Sequence, residues 1–288
     1  MLTISSSNPS YSRSASPRRW LLRHLLPAAL AFLFCLPLLW LMVSSLREPG
    51  QQPSASLQGW PNPPSWSNYV SIFQQFPIGQ PLLNSILVVV FAVPATLITT
   101  SWAGLAMAHL SPRPRRALVM LTVLLMIIPL PALWLPRFVL YTAVGLNDSL
   151  LSLILPALMG TSPFFVLLFY WTFHRLPREL FEAAQLDGAT YAQLWRFVAL
   201  PLAKPTLAVV SVLAFTLYWS DYISPLMYLR TESLYTYSLR LQMFTQQSAT
   251  VQPLAMAATI VAIVPVVGLF LLVQRYFWPE GRRSSTER

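Results

Sequence analysis

The chain reads as long apolar runs separated by polar breaks. Six runs stand out, roughly Leu25–Ser45, Leu83–Ala108, Ala117–Pro136, Leu151–Phe173, Pro205–Leu226 and Leu254–Tyr276. A helix needs about 20 apolar residues to cross the hydrocarbon of a bilayer. Each run reaches that length, so the pattern predicts an all-α, polytopic membrane protein with six transmembrane helices. The third run is the least sharply bounded, because apolar sequence continues past Arg137 to Val144. Pro37, Pro94, Pro129, Pro131, Pro163 and Pro265 stand inside or beside the runs. Each removes a backbone donor and bends a helix, and neighbouring helices must then cover the freed carbonyls. Such bends either serve packing or line a pathway, and proline alone does not decide which.

The segments between the runs fill in the organisation. Residues 1–24 carry "TISSSNPSYSRSASPRR" and read as a disordered N-terminal segment; 25–276 form the transmembrane domain; 277–288 are a polar tail. The loop around Leu46–Gln80 is rich in Pro, Ser, Gln and Gly, with "SNYVSIFQQF" as a short amphipathic helix lying on the membrane surface. The first run has a basic start (Arg18, Arg19, Arg23) and the small residues "AALA", as a signal peptide would. Its apolar stretch continues to Val43, however, which favours an uncleaved anchor.

Composition agrees with the bilayer as solvent. Hydrophobic residues make up 55% of the chain and charged residues 10%, against roughly 25% charged in soluble domains. The net charge is +10. The arginines sit between apolar runs rather than in a patch interleaved with aromatics, which favours an orientation signal and excludes a nucleic-acid partner. With the N-terminus inside, inner segments hold 15 basic residues and outer segments four, Arg47, Arg137, Arg230 and Arg240. Both termini are therefore expected inside. Cys35 is the single cysteine, so no intrachain disulfide or zinc site is expected, and it reads as a buried small hydrophobe. His24, His109 and His174 are too scattered for a metal site. No cofactor is expected.

One inner segment breaks the apolar pattern. "LPRELFEAAQLDGATYAQLWRFVALP", Leu176 to Pro201, holds three of the nine acidic residues. Pro177 suits a helix start, and Glu179 and Glu182 lie near its positive end. Leu180, Ala183 and Ala184 then share one side. Asp187-Gly188 reads as a stop, Thr190 as the cap of a second helix and Pro201 as its end. The segment is predicted to fold as helix, tight turn, helix on the inner face. An amphipathic pair resting on headgroups fits this composition too.

The residues carry a further signal. Glu182, Ala183 and Ala184 are followed after three residues by Gly188, then after nine by Val198, Leu200 and Pro201. This resembles the EAA loop of ATP-binding-cassette (ABC) importer permeases, with Val in place of Ile. "EAAQLDGA" carries the extension common in sugar permeases. "NYVSIF", "LLNSILVVV", "GLNDSLLSLILPAL", "YWSDYISPLMYL" and "IVPVVGLFLLVQRYF" extend the likeness to the second permease of maltose-type importers. Ser220 stands where that family often has Asn, and the tail lacks the Gly-rich ending of many members. The resemblance implies a type I importer permease in a bacterial inner membrane. Its partners would be a second permease, two ATPase subunits and an extracytoplasmic solute-binding protein. Glu182, Ala183, Ala184, Asp187 and Gly188 would dock the ATPase.

The chain has no GxxxxGK[ST] phosphate loop, and its only lysine is Lys204. It is therefore expected to be non-catalytic, with ATP hydrolysed by a partner. Asp221 is the one carboxylate placed within a run, a candidate on the substrate path with Tyr218, Trp219 and Tyr222 beside it. Capping or pairing near a helix end explains Asp221 equally, and an interfacial aromatic belt explains most of the aromatics. Arg137 and Tyr141 are similar cases near outer ends. An ion-driven secondary transporter is the alternative, resting on Asp221 alone. A membrane enzyme finds no nucleophile motif.

Overall fold

The computed structural model describes residues 17–50, 60–74, 77–159, 162–246 and 252–276. The tail, most of the N-terminal segment and part of the first loop lie outside the described residues. Helix α1, Pro17–Ser45, carries the first run. It packs along α13, Gln252–Val273, which carries the last. Much of its surface faces outward, with Phe34 80% exposed. Cys35 is exposed there rather than buried as expected.

The second run is α3, Gly79–His109. Its 31 residues span about 46 Å at 1.5 Å per residue, and the rest of the bundle is arranged on it. Helices α6, Leu151–Leu158, and α7, Pro163–His174, make up the fourth run. Both pack on α3, as does α10, Lys204–Ser220. The tightest crossing is between α3 and α7 at Gly104. A Cβ there would lie 2.6 Å from Phe169 Cβ and 2.7 Å from the Tyr170 nitrogen. Without a side chain at this point the backbones approach closely, the usual device of helix pairs in membranes. Phe165, Phe169 and Phe173 fill the core around the crossing.

α3 also carries polar side chains at intervals, each bonded to another element. Asn84 Nδ2 donates to the carbonyls of Ser233 and Tyr235 at 2.8 and 3.0 Å. Ser85 Oγ accepts from the Tyr237 amide, and Thr99 donates to the Ala157 carbonyl. Thr96 shares a 2.9 Å hydrogen bond with the Tyr218 hydroxyl.

Two expectations change. The third run is not one straight helix but α4, Pro112–Ile127, and α5, Leu130–Ala143, bent by 93°. Ile128 and Pro129 are extended, because a residue before proline is pushed out of the helical region and Pro129 and Pro131 have no amide to donate. The fifth run, expected continuous to Leu226, leaves the helix at Asp221 and resumes as α11, Ile223–Tyr228. The short α2, Asn68–Gln74, is fastened to the bundle by one side. Asn68 Nδ2 donates to the Ser45 and Arg47 carbonyls, both at 2.7 Å. Ile72 is fully buried beside Tyr237 and Phe244 of α12, Tyr237–Thr245, and Leu254 of α13.

Gly104→Ala is expected to lower stability by about 1–3 kcal/mol through overpacking. Gly79→Ala, where the space is open, should leave it unchanged. Thermal unfolding of the two detergent-solubilised variants checks this.

Candidate functional site

The polar loop folds as helix, turn, helix. α8, Arg178–Leu186, follows an extended Pro177 and carries Glu179 in its first turn, where the helix dipole favours negative charge. Gly188 closes α8 with φ +83°. Its amide donates to Gln185 O at 2.9 Å, and the Ala189 amide to Ala184 O at 3.0 Å. These two bonds form a Schellman cap, which needs a residue tolerant of left-handed backbone. Thr190 and Gln193 then form a capping box, with the Thr190 amide donating to Gln193 Oε1 at 2.8 Å.

The second helix, α9, Tyr191–Leu202, meets α10 at 87°. Leu194–Ala199 within it is a π-helix, with the Leu200 amide donating five residues back to Trp195 O. Pro201 does not end this helix, as expected, but sits in its last turn, Leu200–Leu202. The widened turn accommodates a ring that would clash with the carbonyl four residues earlier in a regular helix.

One side of the loop is fastened to the bundle. Phe181 is 3% exposed and meets His109 edge-on at 4.5 Å. Trp195 Nε1 donates to Ser101 Oγ of α3 at 3.0 Å, and its ring stacks on Trp102 at 5.3 Å. Neither residue is among the expected site residues. The buried contact of α8 is Phe181, while Leu180 is 44% exposed. The opposite side faces away from the bundle. Glu182, Ala183, Asp187 and Gly188 are exposed and Ala184 half-buried. Leu186 and Tyr191 project beside them, 89% and 76% exposed.

A second feature is a cavity of about 310 Å³ between α5, α6, α10 and α11. Of the residues expected on the substrate path, Tyr218, Asp221 and Tyr222 line it. Trp219 does not: it is 6% exposed, stacks between Phe215 and Tyr237, and donates from Nε1 to the Ala262 carbonyl of α13 at 2.9 Å. Tyr141 is buried against Tyr228. Asp221 Oδ1 accepts from the Ile223 and Ser224 amides at 3.1 and 3.0 Å and so caps α11. Arg137 and Trp134 of α5 complete the wall. Trp134 carried no signal in the sequence, lying in a uniformly apolar run.

Away from the loop, Asp148 holds two connections together. It adopts φ +59°, its amide donates to the Tyr228 carbonyl, and its Oδ1 accepts from the Arg230 and Thr231 amides at 2.8 and 2.9 Å. Hydrogen bonds from Thr231, first from its hydroxyl, hold the carboxyl below the usual carboxylate range.

The bundle thus carries helices long and apolar enough to cross a membrane, a cavity lined by Arg137 and Asp221 and a helical loop clamped to its central helix. The chain belongs to the family of binding-protein-dependent transport system inner membrane components, whose model matches residues 100–282. It is 28% identical over 238 residues to the sulfoquinovosyl glycerol transport system permease SmoH of Agrobacterium fabrum, covering 83% of this chain and 84% of the relative. It is 29% identical over 242 residues to the trehalose transport system permease SugB of Mycobacterium tuberculosis, covering 83% and 88%. The fold matches a bacterial ABC transporter involved in import of the acidic polysaccharide alginate. The TM-score is 0.73 at 23% identity, covering 94% of this chain and 100% of the other. The protein is thus a multi-pass permease subunit of an ABC importer, which sets aside the ion-driven alternative.

Trp195→Phe and Ser101→Ala should each cost about 1 kcal/mol, and the double variant little more than either, as a thermal-stability cycle would show. Lowering pH should loosen the Asp148 clamp. A depressed folded pKa gives a contribution that is complete above about pH 4, the unperturbed aspartate value, and lost as pH falls through the lower folded value. Asp148→Asn should therefore flatten the acid side of the stability profile.

Proposed function

We propose that this subunit forms half of the translocation pathway for a sugar or sugar-like solute, and that separate ATPase subunits drive it through the α8–Gly188–α9 loop. The observation that carries the docking reading is the loop's two-sidedness. Phe181 and Trp195 fasten it to the bundle, while Glu182, Ala183, Asp187 and Gly188 face outward. Glu182 offers a charge, Ala183 and Ala184 allow close approach, and Gly188 sets the turn. A push on this surface is delivered to α3 and to α10 rather than lost in a mobile loop. The permeases for sulfoquinovosyl glycerol and trehalose among the relatives support the carbohydrate class.

The full importer on this reading contains a second permease, two ATP-binding ATPase subunits and an extracytoplasmic solute-binding protein, set in the lipid of a bacterial inner membrane. Residues 25–276 are the membrane domain. Both termini, 1–24 and 277–288, lie on the ATPase side with the loop, as the bias of basic residues toward the inner segments indicates.

Gly188→Val would force a β-branched residue into left-handed backbone, at about 1–2 kcal/mol for the conformation alone. In a mild-detergent pull-down from the native host, wild type should bring down an ATPase subunit, and the inserted Glu182→Ala/Gly188→Val variant should not. Retention of the ATPase by the inserted variant would remove the loop from the docking contact.

A further inference from the structure

We propose that the cavity between α5, α6, α10 and α11 is a solute-contact subsite within this subunit that takes one uncharged, polyhydroxylated ring, with Arg137 and Asp221 as its hydrogen-bonding groups. This rests on the carbohydrate reading above.

The first argument is the placing of charge. Arg137 is the single charged residue of α5, and Asp221 interrupts the fifth run. Both line the same cavity. Among the described residues the only ion pair is Arg240 with Glu232 at 3.4 Å, so these two opposite charges do not bridge. Ionisable side chains within membrane segments are costly and cluster on solute paths. Two that line one cavity with no ion pair between them place a carboxylate and a guanidinium around one solute-sized space.

The second argument is how each group is held. The Ile223 and Ser224 amides fix Asp221 through Oδ1. Among the described residues its Oδ2 takes no protein hydrogen bond. The Arg137 guanidinium lies against the Tyr228 hydroxyl, which is itself held in the core beside Tyr141. A carboxylate accepts from hydroxyls and a guanidinium donates to them.

The remaining wall selects the class. The two charges sum to zero, so a strongly anionic solute gains no net attraction. Trp134, Tyr218 and Tyr222 offer flat faces, and Ser152 and Ser224 stand among them. At about 310 Å³ the cavity is at the small end of the roughly 300–1,000 Å³ typical of small-molecule sites. It suits a single ring rather than an oligosaccharide.

The test uses the complete importer in membrane vesicles of its own host. The panel is labelled trehalose, lactose, melibiose and arabinose, with galacturonate and glycerol 3-phosphate as anionic counterparts. The compound whose uptake is lost on deleting this chain becomes the probe. Asp221→Asn keeps an acceptor for the two amides and so preserves the cap; Arg137→Gln removes the charge and shortens the side chain but keeps an amide donor. Each is expected to lower uptake of a neutral probe at least tenfold while the ATPase still copurifies. If Arg137→Gln does not insert, Arg137→Lys replaces it, with an expected loss of about threefold. Uptake within twofold of wild type in both variants would overturn the subsite. So would a probe found only among the anions. No change in uptake of any compound on deletion would overturn the carbohydrate reading itself, and the subsite with it.

Discussion

Hydrocarbon offers no partner to a hydrogen-bonding group, and α3 is organised by that constraint. Asn84 and Ser85 reach the 232–237 segment, Thr96 reaches α10, Thr99 reaches α6 and Ser101 the loop helix α9. Thr99 and Ser101 also bond carbonyls of α3 itself, so their hydroxyls stay partnered within the helix while they reach across. The polar side chains of α3 add directional ties to the register that its apolar contacts set.

The same helix joins the polar loop and the cavity. Thr96 holds Tyr218 on the cavity wall, and Ser101 holds Trp195 in the loop. Five residues along a helix are about 8 Å of rise. The loop latch and the cavity are thus neighbours on one rigid element. α10 is the second connection, leaving the loop at the 87° bend and ending at Asp221. The loop and the cavity are thus joined by two helices, α3 and α10.

The apolar runs and the shape of the loop were legible in the sequence, because each rests on a strong local rule. Four of the six runs are helices long and apolar enough to cross a membrane, and the third and fifth are bent pairs; Asp187-Gly188 followed by a Thr190 cap has few readings other than a turn between helices. What escaped depends on rotation and on partners. Consecutive residues of a helix point about 100° apart, so Tyr218 can face the cavity while Trp219 faces α13. In the nine-residue α8 the same rotation buries Phe181 and leaves Leu180 outside. The bend between α4 and α5 came from two prolines whose effect composition could not grade. The packing of α2 carried no local signal, because its buried side is completed by α12 and α13, more than 150 residues further on.

Gly104 secures the crossing of α3 and α7 by what it lacks. A crossing built on a matched set of side chains ties many positions together, and each change in one demands a change in another. A crossing built on an absent side chain constrains one position strictly and leaves its surroundings free to vary. Ancestry can therefore rewrite most of such a bundle while keeping its shape. That is consistent with a TM-score of 0.73 surviving at 23% identity.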